Sequence, residues 1–340
     1  MKISLSNQEL AKCKKLLEVK EMNIEAAEFY IDYLTNNFRE ISSAKSTEDW
    51  FKKFNEIERV NNKVISCVKM NEISELKTET FLNDKYYQTI GQIKASEGDW
   101  NFTTYSYAPF EGFVSDELVI DPDNFAEHTP ISYFQKEFPF FAVTQKDEIW
   151  MSIIPHEINT MRKPIENATG NVLVLGLGLG YYVFNIVSKR NVTSVTVIEN
   201  DKKIINLFNK YLLPKFPNQE KISIIYGDAI AFVKESPRKF DYVFADIWHN
   251  VHDGEMLYLK LKSKELYHSG IKFDYWIETS ILAMLRRQTL TVFEELLEGF
   301  TDADYEISHN ENDTIINSIY KYHKNTEIKN FNDLHQILTD

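Results

Sequence analysis

Residues 171–181, NVLVLGLGLGY, constrain the fold more than any other part of the chain. The aliphatics run without a polar break, as in a parallel strand covered on both faces, and open directly into Gly176, Gly178 and Gly180. Glycines so spaced admit positive φ and let the backbone approach a ligand with no Cβ in the way. The spacing is GxGxG, whereas the dinucleotide fingerprint GxGxxG requires a third glycine at position 181, which is Tyr181. The turn therefore disfavours NAD and favours S-adenosylmethionine (AdoMet).

Three later strands each end in an acid. Residues 195–198 (VTVI) lead to Glu199, about twenty residues beyond the glycines, where a carboxylate accepts both ribose hydroxyls. Residues 222–226 (ISIIY) lead to Gly227 and Asp228, and residues 240–245 (FDYVFA) lead to Asp246. Ligands of open parallel sheets bind outside the carboxyl ends of the strands, so the glycine turn, Glu199, Asp228 and Asp246 are expected to face one crevice.

These residues resemble the class I AdoMet-dependent methyltransferase superfamily, and within it the spermidine synthase-like branch. The likeness runs over residues 148–247: IENDKKIINLFNKYLLP after the second strand, GDAIAFV after the third, FDYVFAD at the fourth, and His156–Glu157 upstream of the glycine strand. The resemblance implies that Gly176, Gly178 and Gly180 bind the cofactor, that Glu199 holds the ribose and Asp228 the adenine amino group, and that Asp246 lies beside the reacting centre. It also implies a Rossmann-like, doubly wound α/β sheet of AdoMet-dependent methyltransferase type, with AdoMet or decarboxylated AdoMet as cofactor.

Two departures bear on the reaction. Aminopropyltransferases carry an Asp inside the glycine turn, where this chain has Leu179, and a second Asp and a Pro after the fourth-strand Asp, where it has His249 and Asn250. Both missing acids help to grip cationic amines. The expected activity is therefore methyl transfer to a small-molecule nucleophile. Aminopropyl transfer from decarboxylated AdoMet is the enzymatic alternative, and nucleoside binding without chemistry is the non-enzymatic one.

Composition narrows the setting. At 340 residues with 43% hydrophobic and 14% aromatic content, the chain buries a large core and exceeds the usual size of one domain. A net charge of −13 argues against a large nucleic-acid footprint. Two cysteines, Cys13 and Cys67, make no disulfide framework, and no signal-peptide core or membrane-length apolar run is visible. The reading is cytoplasmic, with a small-molecule substrate, no membrane and a homo-oligomer left open.

Three units are expected: a helical region over 1–92, a small antiparallel β unit over 93–154, and the Rossmann-like domain over 155–340. In the first, Asn23 is expected to cap a helix reaching Arg39, and a helix from Thr47 buries Trp50, Phe51 and Phe54. In the last, residues 273–277 (FDYWI) read as a fifth strand ending at Glu278, followed by a helix over 280–298, with no legible hairpin of further strands.

The loop after the fourth strand concentrates the chemistry, with Asp246, His249, His252, Asp253 and Glu255 within ten residues. Asp246 or His249 is expected to act as the catalytic base, since histidine titrates near neutrality unaided. A divalent metal on Asp246 with His249, His252 or Glu278 is the weaker alternative, because no strong metal motif is present. Helix capping by His252, packing by Tyr182 and a pocket wall at Trp248 are the plainer roles expected of their neighbours.

Overall fold

The computed structural model of the protein describes residues 1–32, 43–46, 48–49, 52–53, 74–91, 93–146, 148–235 and 239–339. Its centre is a parallel sheet of five strands in the order Ile222–Tyr226, Val192–Glu199, Gly170–Leu175, Tyr242–Ala245, Lys272–Tyr275. The glycine strand lies in the middle, with Leu173 opposite Thr196 on one side and Val243 on the other. Chain direction across the sheet reverses at this strand, which opens a crevice at its carboxyl end.

Residues 172–175 and 242–245 are almost entirely buried, as both-face coverage by helices requires. Tyr182, on helix Tyr181–Val187, stacks on Phe244 with ring centroids 4.0 Å apart, so it packs the sheet and does not meet a ligand. The fifth strand stops at Tyr275, short of the expected Glu278: Ile277 adopts φ +48° and breaks the extended run, and Glu278 opens helix Glu278–Leu297. That helix has no side-chain cap of its own at Ile277; Glu117 supplies one from a distant loop, accepting from the Ser280 N–H at 3.0 Å.

An antiparallel sheet, in the order Glu148–Ser152, Phe138–Gln145, Trp100–Tyr107, Ala95–Glu97, lies against the parallel one. The two are tied by Trp100 Nε1, which donates to Asp201 at 3.1 Å, while Asp201 also caps helix Lys202–Leu207. A smaller sheet pairs Ser74–Leu76 with Ile131–Phe134 in parallel. Residues 74–76 are thus strand within a region expected to be helical, because three residues of backbone pairing with a distant partner override local preference.

Asn23 is a second correction. It sits inside helix Asn7–Asp32, not at its start. Its buried amide serves another segment: Nδ2 donates to the Phe125 carbonyl at 2.9 Å and Oδ1 accepts from the Glu127 N–H at 3.0 Å. The same helix packs Cys13, Leu16 and Leu17 against Phe293 of helix Glu278–Leu297 and Leu334 of the last helix, Phe331–Thr339. Lys2–Ile3 pairs in parallel with Glu327–Ile328, so the two ends of the chain share one core. The Cys13 thiol is buried, and burial pushes it up to about 11. The expected helix over 33–39, the aromatics Trp50, Phe51 and Phe54, and Cys67 lie outside the described residues. Among the described residues no helix is long and apolar enough to cross a membrane.

Candidate functional site

At the carboxyl ends of the strands lies a cavity of about 200 Å³. Gly176, Gly178, Glu199, Asp228, Asp246 and His249 all line it, with walls from Trp150, Met151, Glu157, Trp248 and Trp276. Gly180 does not. A Cβ there would meet Phe208 at 2.5 Å, so this glycine makes room for packed aromatic rings. Gly178 lines the cavity but has Met151 Sδ beside it, 2.0 Å from where a Cβ would stand. Gly176, at φ +95°, touches the other side of the site, since a Cβ there would lie 1.9 Å from the Asp246 carbonyl oxygen. The turn thus owes its glycines first to close approaches within the protein.

Glu199 ends its strand with both carboxylate oxygens anchored. Oε2 accepts from the Leu177 N–H at 3.1 Å and Oε1 from the Asp201 N–H at 2.8 Å. Burial pushes its pKa up, opposed by these hydrogen bonds. The Asn200 N–H adds a third backbone contact, and a carboxylate has about four acceptor directions, so one remains open to the cavity. Replacing Glu199 with Ala is expected to weaken binding of methylthioadenosine about tenfold or more, since hydrogen bonds to a charged group are each worth about 1.5–3 kcal/mol. Calorimetry on a variant with wild-type circular dichroism checks this; unchanged affinity sinks the assignment. Asp228 stands at the exposed rim, where Oδ1 accepts from the Ala231 N–H at 2.7 Å and so caps helix Ala229–Glu235.

Asp246 and Glu157 form the acidic floor. Burial, and next the charge of Glu199, push Asp246 up to about 7. Glu157 is raised well above the carboxylate range by burial and by Asp246. Neither carboxylate accepts a hydrogen bond from a described residue, and no Lys or Arg lines the cavity. Carboxylates gathered without a counter-charge leave a site complementary to a cation. Glu157 enters because Pro155 opens helix Pro155–Thr160 and sets Glu157 in its first turn. In the sequence it was visible only as half of the His156–Glu157 pair, without a role.

The crowded loop resolves into separate tasks. Only Asp246 to His249 face the cavity. Asn250 and Asp253 form a capping box on helix Val251–Glu265, with the His252 N–H donating to Asn250, and Glu255 is buried against Gln288. Glu278 is held by Tyr258 and Lys262. Among the described residues no three of His, Cys, Asp and Glu are arranged to hold a metal. His249 stands at the mouth, with Nε2 3.2 Å from the Ile149 carbonyl oxygen and its ring 5.5 Å from that of Trp150. Trp248 is buried, and its Nε1 has no hydrogen-bond partner among the described residues.

The strand order and this site define a fold of the class I AdoMet-dependent methyltransferase-like superfamily. Residues 155–271 match the spermine/spermidine synthase domain. The chain is 32% identical over 136 residues to the polyamine aminopropyltransferase of Methanocaldococcus jannaschii, covering 39% of this chain and 43% of that protein. It is 29% identical over 165 residues to that of Clostridium botulinum, covering 45% and 56%, and 40% identical over 152 residues to that of Leptospira interrogans, covering 42% and 30%. The matched stretches thus span between about a third and just over half of the length of these relatives.

These matches overturn the expectation of methyl transfer, because the domain and the relatives are named for polyamine synthesis and aminopropyl transfer. That expectation leaned on the missing acids at 179 and 249. Leu179 is fully buried beneath the turn, its carbonyl accepting from the Tyr86 hydroxyl at 2.6 Å, so that side chain does not face the cavity. The cavity's acidity comes from Glu157 together with Asp246 and Glu199.

Proposed function

We propose that the protein is a transferase that moves an aminopropyl group from decarboxylated AdoMet to a small aliphatic amine. The observation that carries this reading is the cavity in which Glu157, Glu199 and Asp246 converge with no Lys or Arg among its lining residues. The donor supplies a carbon already activated by a sulfonium, so the protein has to position, exclude water and accept a proton. Glu199 holds the ribose, and Asp228 at the rim takes the adenine amino group. Glu157 faces the ammonium groups of donor and acceptor, and Trp150, Trp248 and Trp276 wall the cavity against water.

In the transfer, the acceptor nitrogen forms a bond to the propyl carbon while the carbon–sulfur bond breaks and its electron pair returns to sulfur. The attacking nitrogen needs a free electron pair, so the Asp246 carboxylate first takes a proton from the ammonium group of the acceptor and passes it to solvent. Its raised pKa suits this, because a base titrating near neutrality is both deprotonated and basic enough.

The same acids discriminate between donors. Ordinary AdoMet carries a carboxylate that would meet the Asp246 carboxylate with no cation between them, and like charges in a confined site repel. Titration calorimetry is expected to show decarboxylated AdoMet binding at least about tenfold more tightly than AdoMet, a difference of about 1.4 kcal/mol. Equal or tighter binding of AdoMet would overturn the reading.

A further inference from the structure

Two contacts reach the glycine turn from a helix that lies outside the segment matching the synthase domain. Helix Lys85–Ile90 is capped by Asp84, whose Oδ1 accepts from the Tyr86 N–H at 2.8 Å. The buried Tyr86 hydroxyl donates to the Leu179 carbonyl at 2.6 Å, and Asp84 Oδ2 accepts from the Tyr181 hydroxyl at 3.3 Å. The two contacts thus fall on either side of Gly180. Lys215 Nζ donates to the Ile90 carbonyl at 3.0 Å and pins the other end of the helix.

The turn needs such a hold. Gly176, Gly178 and Gly180 sit at φ +95°, +49° and +74°, and alternate glycines leave a free turn many conformations, since glycine loses more freedom on folding than any other residue. Helix Tyr181–Val187 has no side-chain cap at Gly180. Residue 179 is tied chiefly by its carbonyl, because its N–H meets the Met151 sulfur, a weak acceptor, at 3.3 Å. Tyr86 is itself fixed: its ring meets those of Tyr181 and Phe184 edge-on, with centroids 5.4 and 5.3 Å away. Burial raises its phenol well above the usual pKa, so the hydroxyl stays protonated and able to donate.

We propose that Tyr86 and Asp84 are positioning residues for the nucleoside: by clamping Leu179 and Tyr181 they set the turn, and with it the cavity-lining Gly178, in its binding shape before the ligand arrives. The ligand then has less of the protein to order, which is how preorganisation raises affinity. The two residues have this role on the reading of the first cavity as the nucleoside site.

Calorimetric titration of the full chain with methylthioadenosine tests it. Tyr86→Phe, which removes one hydroxyl and keeps the ring, is expected to weaken binding about fivefold to tenfold, within the range for one buried hydrogen bond. Tyr181→Phe, which frees Asp84 from the turn, is expected to weaken it about twofold to threefold. It decides the matter if Tyr86→Phe does not fold, and wild-type affinity there would then overturn the proposal. Turnover at saturating decarboxylated AdoMet is expected to change less than about twofold in both, because neither tyrosine lines the cavity and only binding is lost. Tyr305→Phe, which removes a buried hydroxyl bonded to Glu295 in the other core, is the reference for lost stability and is expected to bind as the wild type does. Wild-type affinity in a folded Tyr86→Phe protein, a loss confined to turnover, or an equal loss of affinity in Tyr305→Phe would each overturn the proposal alone. Failure of the wild type to bind methylthioadenosine would overturn the nucleoside reading, and the role of the clamp with it.

Discussion

Asp246→Asn is expected to slow single-turnover aminopropyl transfer by about 100-fold to 10,000-fold, the usual range for loss of a general base. The amide keeps the shape of the side chain but removes its charge and its basicity. Because the proposed reading gives the nucleoside to Glu199 and Asp228, affinity for decarboxylated AdoMet is expected to fall far less than turnover. The pH profile gives an independent reading. The free carboxyl, pushed up to about 7, gains its basic form as pH rises, so wild-type turnover climbs up to about that pH and its dependence on Asp246 then levels off. A bound cation favours the charged carboxylate and moves the midpoint downward. In the Asn variant the remaining slope reports only the acceptor amine. If affinity collapses while turnover at saturating donor stays normal, Asp246 is a binding residue and His249 becomes the first candidate for the base.

Gly176→Ala is expected to be the most damaging change in the turn. Its Cβ would stand 1.9 Å from the Asp246 carbonyl oxygen, which is backbone and cannot rotate away, and φ is +95°. Strain at positive φ costs about 1–3 kcal/mol and overpacking about 1–3 kcal/mol more, so a loss of about 2–6 kcal/mol in unfolding free energy is expected, together with loss of nucleoside binding. Gly299→Ala serves as the reference: φ is +100° there too, but no atom lies within 4 Å of the added Cβ. Urea denaturation of both variants separates strain from collision, and equal stability of the two would show that the approach of Gly176 to Asp246 is not tight.

Four of the five strands of the parallel sheet were legible because each is a local apolar run closed by a glycine or an acid. Residues 222–226 coincide with the expected strand, and the glycine strand begins one residue earlier, at Gly170. The convergence of Glu199, Asp228 and Asp246 followed from one rule, that parallel strands present their carboxyl ends to the same side. Elements that depend on a distant partner were not legible. Residues 74–76 become strand only through Ile131–Phe134, and Asn23 reads as a cap until Phe125 and Glu127 are brought to it.

The chain's local pattern determined the half of the site to which the proposed function assigns the nucleoside, since strand, glycine turn and terminal acid are written consecutively. Tertiary structure alone decided the charge of the other half. Whether a missing acid matters depends on which way a side chain points, and Leu179 points into the core while Glu157, from a separate helix, reaches the floor beside Asp246. The pKa of Asp246 is likewise set by its surroundings, because burial and the field of Glu199 arise only when strands distant in sequence end side by side.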